Sequence, residues 1–141
     1  MPHDDALIAE TRGWIMKAAK DLAIAVYELK ADPPFAEDVV FHAQQAVEKT
    51  LKAFLTWHGR IFRETHNLVE LGGACVELDP SLEPILRRAA PLTEYAWRYR
   101  YPGDPGEPTA EQAEEAITTA QAVHEALLER LPVELRLQER L

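Results

Sequence analysis

Apolar positions recur at helical spacing through most of the chain, and no strand-like alternation of useful length interrupts them before the last few residues. From about Asp4 or Asp5 to Lys30, Ile15, Ala18, Ala19, Leu22, Val26 and Leu29 share one side, with Arg12, Lys20 and Glu28 opposite. This spacing predicts a first helix. Asp32-Pro33-Pro34 ends it, because proline removes a donor and pushes its predecessor out of helical geometry. A second helix is predicted from about Phe35 to His58, closed by Gly59, whose tolerance of positive φ suits the position just past a helix end. Val40, Ala43, Val47, Leu51 and Phe54 form its core stripe. His42, Ala46, Lys49 and Ala53 form a second face, which suits a close helix neighbour or a bound anion.

Beyond the link Arg60–Glu64, Thr65 is expected to cap a short third helix that reaches about Glu77. Gly72-Gly73 weakens its middle by about 1 kcal/mol per glycine, which points to a very short helix or a close neighbouring backbone. Asp79-Pro80-Ser81 opens a fourth helix to about Tyr99, kinked or divided by Pro91. Thr109-Ala110-Glu111-Gln112 is a capping box for the last helix, whose stripe is Ala113, Ile117, Ala120, His124, Leu127 and Leu131. The run Val133–Leu137 is too short to classify; a frayed helical tail is one reading. The expected fold is all-α, an antiparallel up-and-down bundle of four to five helices. It forms one domain over residues 1–141, with its core at about 5–131 and a short tail at 132–141.

Composition narrows the functional classes. The chain has 141 residues and a formal charge of −9, which argues against broad, charge-driven binding of nucleic acid. Between Trp57 and Arg100, however, six arginines face six acidic residues, so a local anion site stays open. No apolar run approaches the roughly 20 residues that cross a bilayer, and no basic-then-apolar leader opens the chain. A soluble, cytoplasmic protein with no membrane contact is expected. The one cysteine, Cys75, has no activating base beside it and reads as a buried structural thiol.

Among the histidines, His42 lies two turns from Lys49 on the second face of the second helix, where the two can offer a donor and a positive charge to a phosphate. Gln45 borders the same surface. His66 is placed in the first turn of the third helix, where helix ends attract anions. His124 reads as a satisfied core residue, and His58 as a partner of a helix end. The histidines do not pair with other ligands at metal-binding spacing, so neither a metal nor a cofactor is expected. Arg98-Tyr99-Arg100-Tyr101 combines guanidinium groups that fork onto phosphates with rings that stack bases. A helix terminus that caps carbonyls is the alternative.

Three segments together resemble the prokaryotic HEPN domain: Phe41-His42-Ala43-Gln44-Gln45-Ala46-Val47-Glu48-Lys49, then Thr65-His66-Asn67-Leu68, then Arg100-Tyr101-Pro102 before a final amphipathic helix. Trp14–Leu22 is similar to the family's first helix. The resemblance implies an all-helical bundle, commonly a homodimer, often encoded beside a minimal nucleotidyltransferase as a toxin–antitoxin pair. It also implies nucleotide or RNA binding, here through His42, Gln45, Lys49, His66, Arg100 and Tyr101. Many active members are metal-independent ribonucleases with an arginine followed, after four to six residues, by a histidine near the start of the last helix. In this chain Gly103, Asp104 and Pro105 follow Arg98 at those distances, and Pro105, Gly106 and Glu107 follow Arg100. The one match is Arg60 to His66, which makes these two the candidate catalytic pair of a ribonuclease alternative. A purely structural dimeric interaction protein is the third reading.

Overall fold

The computed structural model describes residues 5–104 and 106–138. Every regular element among them is helical: α1 (Asp5–Leu29), α2 (Ala36–Trp57), α3 (Leu68–Leu78), α4 (Glu83–Ala89), α5 (Ala110–Leu128) and α6 (Val133–Gln138), with 3-10 segments at Pro80–Leu82 and Ala90–Ala96. The all-α expectation holds. The short tail forms α6, so the described residues contain six α-helices rather than four or five; residues 139–141 of that tail, Asp4 and Pro105 lie outside the described residues.

α2 is the spine. α1 returns against it through the proline turn, while α3, α5 and the 90–96 segment cover its other sides. The predicted stripe Val40, Ala43, Val47, Leu51 and Phe54 is fully buried, and so are Ala46 and Ala53 of the second face. A helix with alanines on that side lets α1 approach closely, and burying each larger aliphatic side chain stabilises the bundle by about 1.5–3 kcal/mol. Gly59 adopts a φ of 69° and closes α2, as expected.

Two local expectations change, both at α3. The N-cap of α3 is Asn67, whose side chain accepts from the amides of Val69 at 2.9 Å and Glu70 at 3.2 Å; Thr65 Oγ1 instead accepts from the Asn67 amide at 3.1 Å. His66 therefore lies just before the helix, outside its first turn. α3 continues through both glycines, with Gly72 turned toward Leu86 of α4 and Gly73 toward open space. As expected, the predicted fourth helix divides beside Pro91, at Ala90, into α4 and a 3-10 segment, the missing proline donor removing an α-helical bond. The capping box at Thr109 forms in both directions.

Candidate functional site

The polar side chains of α2 separate into two clusters. The first is at the N-terminal end of the helix, where Asp38 lies in the first turn. His42, one turn on, donates from Nδ1 to both Glu28 Oε1 of α1 and the Asp38 carbonyl, each at 2.9 Å. Burial raises the pKa of Glu28; the His42 ring opposes that shift and Asp38 adds to it. Phe41 stands edge-on to the His42 ring, and the Arg100 guanidinium lies 4.0 Å above the Phe41 ring centroid. Arg100 also donates to Asp38 Oδ1 at 2.9 Å. The structure thus brings His42 and Arg100 together through Asp38 and Phe41, two residues that sequence reasoning passed over. The available signal was the one-turn spacing of Asp38 from His42 and the place of Phe41 directly before it.

Backbone geometry explains how Arg100 arrives there. Tyr99 adopts a φ of 69°, the left-handed region that a non-glycine residue occupies at a cost of order 1–3 kcal/mol. The reversal follows the end of the 90–96 segment and turns Arg100 back onto α2. Tyr99 is held by a stack on Tyr95 and by Arg98 over its ring. Tyr101 follows with 67% of its surface exposed, and Trp97, three residues before Arg100, is also exposed.

The second cluster lies further along α2. Glu48, with 4% of its side chain exposed, accepts from Lys52 Nζ at 2.9 Å and from His66 Nδ1 at 2.7 Å. Lys52 also pairs with Glu64 and lies over the rings of Trp14 and Phe62. Burial pulls the Lys52 pKa down, but hydrogen bonds to Glu48 and Glu64 outweigh it, and the net direction is up. Fully buried Gln44 donates to the His66 carbonyl at 3.0 Å and accepts from Gln45 at 2.7 Å. Of the paired glutamines, Gln44 is thus the one that holds the His66 segment, while Gln45 supports it. The His66 ring keeps 66% of its surface exposed.

The remaining candidates go elsewhere. Lys49 is paired with Asp21 of α1 at 2.6 Å, a partner absent from the sequence reading. Arg60 donates to Glu77 of α3 at 2.6 Å, while His66 turns to Glu48 of α2, so the two candidate catalytic residues are held by different elements. His124 is buried with Nδ1 2.9 Å from Thr50 Oγ1, the core role expected of it. Cys75 is fully buried, and desolvation pushes its thiol up to about 12. Among the described residues no three His, Cys, Asp or Glu side chains gather as metal ligands, and no helix is long and apolar enough to cross a membrane.

The family model of the HEPN domain matches residues 11–131, from within α1 to three residues past α5. The chain belongs to the HEPN domain family. It is therefore a helical module of a nucleotide- and RNA-related kind. Comparison with curated proteins and with solved structures gave no match. Within this HEPN domain, the paired-glutamine helix and the Thr65–Leu68 segment meet at Gln44 and His66, and the Arg100-Tyr101-Pro102 segment meets the same helix one end away, at Asp38 and Phe41.

Proposed function

We propose that this HEPN domain is a binding module that takes a nucleotide, or one exposed nucleotide of an RNA, at the Phe41–His42–Arg100–Tyr101 end of α2. The observation that carries the reading is the Arg100 guanidinium stacked on Phe41 and braced by Asp38. A braced guanidinium loses little freedom when it forks onto a phosphate. Tyr101 and Trp97, exposed and close to Arg100 in the chain, offer faces on which a base can stack, a contact worth about 1–3 kcal/mol per base. The charge of −9 favours this compact recognition over tracking a long phosphate backbone. Lys49, neutralised by Asp21, contributes to the α1–α2 seam, and His66 with Gln45 belongs to the second cluster rather than to this contact.

The test is a titration of the full chain with nucleoside mono- and triphosphates and with short single-stranded RNA, read by calorimetry. Binding that falls at least tenfold, about 1.4 kcal/mol, in Arg100→Ala supports the reading. Equal binding by wild type and Arg100→Ala contradicts it. The minimal nucleotidyltransferase partner and the toxin–antitoxin role belong to the same proposal: such a partner is expected to dock beside this end and to compete with nucleotide. The ribonuclease alternative rests on His66, whose Nδ1–H is held by a buried carboxylate, leaving Nε2 outward as a proton acceptor. Metal-free RNA cleavage abolished by His66→Ala and kept by Cys75→Ala would favour it.

A further inference from the structure

Between the 90–96 segment and the N-terminal half of α5 runs a groove of about 440 Å³, lined by no residue of α2. Leu92 and Ala116, both buried, give it an apolar floor. Thr119 lines it as well, with 3% of its surface exposed, and its hydroxyl makes no hydrogen bond to a described residue. Thr118 beside it is satisfied, donating to the Glu114 carbonyl at 3.0 Å. A hydroxyl this deep is costly to leave unbonded unless something in the groove completes it. Glu111, Glu115 and Thr119 follow one another at i, i+4 and i+8, so they form a single row along α5.

The charges on the lining are unmatched too. Glu111 and Glu115 are exposed, and neither pairs with a described residue. The N-terminal end of α5 favours carboxylates but supplies no counter-ion. Elsewhere on the walls, Glu94 is taken by Arg98, and Thr109 and Gln112 by each other. Arg88, the one cation among the described lining residues, is exposed and pairs with none of these glutamates. Burial raises the pKa of the Tyr95 phenol, so that side chain stays neutral and offers a ring to a cation. We propose that the groove binds a small primary amine on an apolar stem, its ammonium held by Glu111, Glu115 and Thr119 and its stem on Leu92 and Ala116. An ammonium has three donors and no acceptor, which matches two carboxylates and a hydroxyl oxygen that can accept. The net charge of −9 concentrates cations at the surface and opposes an anion in the same place.

Calorimetry of the full chain with phenethylamine, up to about 10 mM, is expected to show saturable binding that weakens at least tenfold in Glu115→Gln and in Thr119→Val. The double variant Glu111→Gln/Glu115→Gln should lose it. Phenylacetate, which has the aromatic stem with the opposite charge, should not bind, and Arg88→Gln should bind the amine as tightly as the wild type or more tightly. Thr119→Val removes a hydroxyl that has no partner in the fold, so its stability to urea should hold or rise while binding falls, which separates a lost ligand contact from a damaged core. The groove shares no residue with the Arg100 end, so Arg100→Ala should leave amine binding unchanged whatever it does to nucleotide binding. No saturable heat over that range, binding that survives the double variant, or equal binding of phenylacetate overturns the proposal.

Discussion

His42 and His66 make the same bond in opposite settings. Each donates from Nδ1 to a carboxylate of a neighbouring element, at 2.9 Å to Glu28 and 2.7 Å to Glu48. At His42 both partners are largely covered, so the pair closes the seam between α1 and α2. At His66 the carboxylate is buried and the ring faces water, so the buried member is the one that depends on the contact. A shared hydrogen-bond pattern therefore says little about role until the burial of each side is known. Glu48 must be satisfied because it is inside; His66 is available because it is outside.

The largest effect expected from breaking this contrast is at Lys52. Lys52→Ala leaves the Glu48 carboxylate buried with its main counter-charge gone, a loss of about 3–5 kcal/mol by urea unfolding. At His42, His42→Ala strips a donor from half-buried Glu28 and should cost about 1–3 kcal/mol in the same assay. His66→Ala should cost less, about 1 kcal/mol or under, because water replaces most of what surrounds the ring. A His66→Ala loss that exceeds that of His42→Ala would reverse the assignment of roles.

pH sharpens the same contrast with smaller effects. Glu28 titrates above its ordinary value in the fold, so ionising it disfavours folding: stability contributed by its proton is present below about 4.3 and fades as pH rises through the folded pKa. Glu28→Gln should flatten the stability profile just above that value. Lys52 has the opposite chemistry and a raised pKa, so its contribution holds below about 10.4 and is lost as pH rises past the folded value. Cys75, with its thiol pushed up to about 12, should resist alkylation at pH 8 in the native chain and react once denaturant opens the core.

Much of the fold was legible in the chain itself. Period, capping box, proline breaks and Gly59 each act within a turn or two, so Thr109 and Gly59 behave as read. The cap of α3 was misplaced by two residues because Thr65 and Asn67 both have the chemistry; only the chain path decides which one meets the free amides. The site was less legible. His42, Lys49, His66 and Arg100 all stood out, yet their partners Glu28, Asp21, Glu48 and Asp38 lie on elements or turns whose register no local pattern fixes. The second face of α2 looked suited to an anion or a helix, and the pairs of His42 with Glu28 and Lys49 with Asp21 show that α1 lies on it. Phe41 reads as one more apolar residue until Arg100 is found above its ring.

The most direct measurement is a nucleotide titration followed by NMR in the full chain, observing the rings of both histidines together. Recognition at the Arg100 end predicts shifts at His42, Phe41 and Tyr101 that saturate, leave the His66 ring unchanged, and disappear in Arg100→Ala. Shifts centred on His66 that survive Arg100→Ala would contradict it and place the ligand on the Glu48 cluster.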